Sequence, residues 1–119
     1  MKRVLWVSRH QMGPAQLADL ERALGAPVEL ICWRDTVEKA AELVPALEGA
    51  DAAAVVLPPE LISQLLTLAG GKPVLQAVSG REATGRLATA PDGRQEPEFA
   101  YVHRGWQQIL RLELETRLL

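Results

Sequence analysis

The sequence predicts an α/β fold: a mostly parallel sheet in the order β-α-β-α-β-α-β, followed by a β-rich C-terminal hairpin extension. Two observations carry this. Short apolar runs alternate with amphipathic segments as far as residue 78, and after Ser79 the pattern changes to strand-like runs around a turn-rich loop. The first pattern implies parallel strands joined by right-handed crossovers. With 119 residues and 48% apolar content, one domain with one core is expected, residues 1–84 forming the βα body and 85–119 the extension.

Taken in order, Arg3 to Val7 is a short apolar strand. From Pro14 to Leu24, the residues Leu17, Leu20, Ala23 and Leu24 mark one helical face. Pro14 suits a first turn whose N–H has no intrahelical partner, and Gly25 suits the left-handed position after the last turn. Val28 to Trp33 reads as a second strand. Asp35 or Thr36 can then cap a helix carrying Val37, Ala40, Ala41, Val44 and Leu47, which Pro45 should bend or shorten. Ala52 to Leu57 is apolar throughout, as a strand covered on both faces would be. Pro59 to Ala69 is the third helix, ended by Gly70 and Gly71, and Pro73 to Val78 is the fourth strand. Leu87 to Ala90 and Phe99 to His103 flank PDGRQEP as a hairpin with a long loop. In ILRLELETRLL, Leu110, Leu114 and Leu118 sit one helical turn apart, but charged residues fall strictly between the leucines, which favours a strand over a helix for residues 109–119. This late apolar segment offers an edge to a second subunit, and a homodimer is expected.

Composition narrows the partners. A net charge of −2 argues against wrapping long nucleic acid, which needs a clustered basic surface, but allows a small nucleotide ligand. The apolar run in MKRVLWVSRHQ is too short for a signal core or a membrane span, so a cytoplasmic location is expected. Cys32, the single cysteine, reads as a small buried hydrophobe. Two histidines and scattered acids show no HxH, HExxH or Dx[DN] spacing, and no G-x-G-x-x-G follows the first strand. Neither a metal nor a dinucleotide cofactor is expected.

In open α/β sheets, ligands bind beyond the carboxyl ends of the strands. The expected loops there carry Ser8, Arg9, His10 and Gln11, then Arg34, Asp35 and Thr36, then Pro58 and Pro59, then Ser79, Gly80 and Arg81. Two of them set a hydroxyl beside a guanidinium, a donor pair suited to phosphate. Gly80 would let the backbone approach a ligand closely, and Trp33, at the end of a strand, could stack a base.

The N-terminal segment also resembles a known group. An apolar strand, then Ser and His, then a short helix of the form x-x-Q-L-x-D-L-E-x-x-x-G is similar to the start of the small stand-alone ring nucleases of type III CRISPR systems, which are short Rossmann-like (CARF-type) proteins. Val7, Ser8, His10, Gln16, Leu17, Leu20, Glu21 and Gly25 carry the likeness, which covers about the first quarter of the chain. This sequence departs from the pattern in Arg9, inserted between Ser and His, and in Met12-Gly13-Pro14, where the group has a Leu-Thr-Pro-like start. The resemblance implies a Rossmann-like homodimer that binds a cyclic oligoadenylate across its two-fold axis and cuts it without metal. In that chemistry a ribose 2′-OH attacks the adjacent phosphorus and leaves a 2′,3′-cyclic phosphate. Ser8 and His10 would orient ribose and phosphate, with His10 the acid or base because imidazole titrates nearest neutrality. Arg9 and Arg81 would hold the phosphorane charge.

Two other readings stand beside it. Arg9-His10 after a first strand is similar to the RHG motif of histidine phosphatases, although Gln11 replaces the glycine. A sensor, sponge or interaction module would need the same phosphate-facing loops without a placed acid or base.

Overall fold

The computed structural model describes residues 1–119. Strands β1 (Lys2–Val7), β2 (Val28–Trp33), β3 (Ala52–Val55), β4 (Val74–Thr89) and β5 (Gln95–Gln108) form one sheet in the order β2-β1-β3-β4-β5. Helices α1 (Pro14–Leu24), α2 (Val44–Glu48) and α3 (Pro59–Leu68) make the crossovers, a 3₁₀ turn (Ala40–Leu43) leading into α2. The pairings β1–β2, β1–β3 and β3–β4 are parallel, and β4–β5 is antiparallel. The chain is therefore α/β with a mixed, mostly parallel sheet and a C-terminal hairpin.

Strand alternation divides the core into two layers. Leu5, Val7, Ala53, Val55 and Val74 face α2, α3 and the 3₁₀ turn, packing with Leu43, Leu47, Ile62 and Leu65. Val4, Trp6, Ala52, Ala54 and Leu75 face α1 and pack with Leu20 and Met12. All four residues of β3 are buried, and three are alanines. Small side chains at the centre of the sheet let helices approach closely from the opposite face.

Local chemistry explains where the elements begin and end. At the start of α1, the Gln16 side chain accepts the Gly13 N–H at 2.8 Å, and Gly25 closes the helix at φ 70°. The second expected helix divides into the 3₁₀ turn and α2 at the step where Pro45 removes a backbone donor. Its start is not capped by Asp35 or Thr36. Glu42 reaches back to the N–H groups of Glu38 and Lys39 at 2.8 and 3.1 Å, moving the N-terminus to Lys39. Cys32 is exposed, not buried: β2 is an edge strand, and the α1 layer packs against Val28 and Leu30 but leaves Cys32 open.

The largest departure lies beyond Val78. Ser79, Gly80 and Arg81 form no loop, because β4 continues through them and pairs with His103, Val102 and Tyr101 of β5. The expected boundary at residues 84 and 85 falls inside this strand, and the turn between strands is short, spanning Ala90 to Arg94. Register shifts at Val78/Ser79 and at Ala83/Leu87 interrupt the ladder without ending it. Residues 109–119 are not a strand. They run irregularly past α3, with Ile109 and Leu112 packed on the core and the Leu112 carbonyl accepting the Ser63 hydroxyl at 3.1 Å. No helix is long and apolar enough to cross a membrane.

Candidate functional site

β1 lies between β2 and β3, so the chain leaves β1 toward α1 on one face and leaves β3 toward α3 on the other. The two loops diverge at the strand carboxyl ends, the arrangement that opens a ligand crevice in such sheets. A cleft of about 220 Å³ occupies this point. Ser8 and Arg9 enter it from the loop after β1, Asp35 and Thr36 from the loop after β2, and Val56 and Pro58 from the loop after β3.

Backbone bonds hold these loops together. The Ser8 N–H donates to the Trp33 carbonyl at 3.1 Å, and the Val56 N–H donates to the Val7 carbonyl at 2.9 Å, carrying both parallel ladders one step past the strands. Ser8 is the single polar residue among the buried set, at 7% exposure. Its Oγ accepts the His10 N–H at 3.0 Å, which leaves its own proton available to donate into the cleft. The Trp6 indole donates to the His10 carbonyl at 2.8 Å, fixing the loop from the core side. The Arg9 guanidinium donates to Thr36 Oγ1 at 2.5 Å and pairs with no carboxylate, so further donors remain for an anion.

The structure separates the remaining candidates. His10, Gln11 and Arg34 are exposed and do not line the cleft. His10 follows Ser8 and Arg9 in the same bonded turn, and its ring makes no hydrogen bond. Trp33 is half-buried against the core, and its indole N–H is buried without an acceptor. Ser79, Gly80 and Arg81 lie in the β4–β5 arm. The absent side chain of Gly80 accommodates Arg104, whose Nε would sit 2.3 Å from a Cβ there, and Arg81 stacks over Phe99 at 4.0 Å from the ring centroid. Gly80 therefore serves packing across the hairpin.

Sequence reasoning missed Thr36 as a partner of Arg9, and it missed a cluster at the root of the arm. His103 Nε2 donates to Asp19 Oδ2 at 2.8 Å, joining α1 to β5 across 84 residues of chain. The Trp106 indole donates to the Gln16 carbonyl at 2.9 Å, and Trp106 meets Trp6 edge-on at 6.1 Å between centroids. The His103 hydrogen bond, followed by that from Arg22, holds the Asp19 carboxyl below the usual range. Local spacing carries no signal for contacts so distant in sequence. A larger open groove of about 720 Å³ runs between α3 and residues 110–115, away from the converging loops. Nowhere do three or more His, Cys, Asp or Glu side chains gather in a way that could hold a metal ion.

No family model matches the chain, and no curated protein or solved structure matches it either.

Proposed function

We propose that this chain is a Rossmann-like nucleotide-binding protein whose cleft between the β1 and β3 loops receives a phosphate. The observation that carries the reading is the joint placement of Ser8 and Arg9 in a cleft at the point between β1 and β3 where the crossovers part to opposite faces of the sheet. A buried hydroxyl and a guanidinium that bonds Thr36 but no carboxylate supply one neutral and several charged donors to the same volume, a set suited to a phosphodiester.

The resemblance of residues 7–25 names the ligand class: a cyclic oligoadenylate, bound by a cytoplasmic homodimer and cleaved without metal. In that reaction the 2′-OH loses its proton and attacks the adjacent phosphorus. The P–O5′ bond breaks, the 5′ oxygen takes up a proton, and a 2′,3′-cyclic phosphate remains. Arg9 would hold the charge on the phosphorane and Ser8 would orient a phosphate oxygen, while His10, exposed in the same turn outside the cleft, would move the proton at a ribose that extends past the cleft mouth.

Binding and cleavage of cyclic tri-, tetra- and hexa-adenylate in the presence of EDTA test the proposal. Arg9→Ala should weaken binding by about 10- to 100-fold, the loss of a charge-assisted hydrogen bond of about 1.5–3 kcal/mol. His10→Ala should bind as the parent does and make no product. Absence of both a thermal shift and product across the series would overturn the reading. Binding without product would retain the phosphate site and make the protein a sensor or sponge.

A further inference from the structure

We propose that β5 is a self-complementary edge along which two copies of this chain join as an antiparallel, isologous dimer. The proposal is independent of what the cleft binds.

β5 is last in the sheet order, so one side of a 14-residue strand has no backbone partner. Apart from His103, whose bond to Asp19 ties the root of the arm to α1, the hairpin beyond Val78 carries mostly exposed side chains. Val78, Leu87, Phe99 and Tyr101 are all exposed, Tyr101 at 79%. The radius of gyration is 17.3 Å, against about 13.5 Å for a compact chain of this length, which shows how far the arm departs from a sphere. A long open edge with apolar side chains is a template for another strand unless something blunts it.

One device on this edge limits the pairing without preventing it. The Ala90 N–H donates to the Arg94 carbonyl, which puts Ala88 and Glu96 in the next bonded pair and Leu87 and Pro97 in a non-bonded one. Pro97 therefore turns its missing N–H outward, and an approaching strand loses one bond near the tip.

The side chains select a second copy and a register. Phe99 and Tyr101 share one face with Arg81, which stacks on Phe99. Arg104 lies on the other face, crossing Gly80 to reach Glu82 at 2.9 Å. With Ala100 on the two-fold axis, Phe99 faces the second copy's Tyr101 and Glu96 faces its Arg104. A register centred on Tyr101 instead sets against Arg104 a Glu98 already engaged within its own arm by Thr84 at 2.9 Å and Arg86 at 3.4 Å, and is disfavoured. Centring on Phe99 opposes Arg94 to Arg104, a repulsive pairing. Aromatic pairs on one face and unlike charges on the other, each occurring twice by symmetry, are the cross-strand contacts that stabilise an antiparallel seam.

Sedimentation velocity on the full chain at rising micromolar concentration is the first test, and a dimer is expected. Tyr101→Pro removes a ring and an edge N–H and should yield a monomer with the parent's circular dichroism. In a Cys32→Ser background, Ala100→Cys places two thiols across the axis, where the strand separation of about 4.5 Å in a non-bonded pair allows a disulfide. Oxidation should give a covalent dimer from the folded protein. A parent that stays monomeric, a dimer that survives Tyr101→Pro, or an Ala100→Cys variant that does not cross-link would each overturn the proposal.

Discussion

Ser8 shows how a single side chain can serve both fold and site. Its hydroxyl accepts the His10 N–H and so turns the chain out of β1, and the same buried residue lines the cleft. Asp19 acts at a different place, where a hydrogen bond from His103 ties α1 to the arm. The folded pKa of Asp19 is depressed, as is that of Glu42, which accepts the Lys39 and Glu38 N–H groups. A depressed carboxyl contributes stability above its unfolded pKa of about 4, and that contribution is lost as pH falls through the folded value. Urea midpoints measured from neutral pH downward should therefore fall below about pH 5. Asp19→Asn should make that fall shallower and leave the remaining slope to Glu42 and the other carboxylates. An unchanged slope would show that the His103 bond contributes nothing to acid sensitivity.

Among the elements, α3 and the C-terminal segment differ in what they bury. Leu65 is fully buried between α3 and the sheet, so Leu65→Ala should cost about 2–5 kcal/mol by leaving a cavity. Leu112 is half-buried on the outside of the same core and sits on a segment without regular hydrogen bonding. Leu112→Ala should cost less, about 1 kcal/mol, since solvent can fill the space. Chemical denaturation of the two variants would check the ranking, and an equal loss would mean the segment belongs to the core as firmly as α3 does. The alternation of Leu110, Leu112 and Leu114 suggested a strand, but a strand needs a neighbour. Beyond one backbone bond, from the Ile109 N–H to the Val74 carbonyl at 2.8 Å, this segment is held to the body by side-chain packing at Ile109 and Leu112 and by the bond from Ser63.

At the scale of the whole molecule, a three-layer body carries a thin two-stranded arm. Amides of β1 and β3 lie beneath helices on both faces, and those of the outer arm do not. Hydrogen exchange should be slowest in β1 and β3 and fast in residues 95–103 at low concentration, because local opening of the arm exposes little buried surface. Protection at Phe99 and Tyr101 that grows with protein concentration would follow from the β5 seam, whereas concentration-independent exchange there would count against it. The sequence by itself determined the body: apolar runs of strand length, amphipathic runs of helix length, and the Pro and Gly residues that punctuate them are local properties of the chain. It also placed Ser8 and Arg9 correctly after β1, because the end of an apolar run is legible one residue at a time. Only the tertiary structure decided that Ser79, Gly80 and Arg81 continue β4, since their turn-forming character is overridden by a β5 ladder far away in sequence and by the need of Arg104 for the space over Gly80. Tertiary structure likewise exposed Cys32 by placing β2 at the edge, joined Arg9 to Thr36, and brought Asp19 to His103. Each of these depends on which strands and helices become neighbours, and that is settled by packing across the sheet, not by any single stretch of residues.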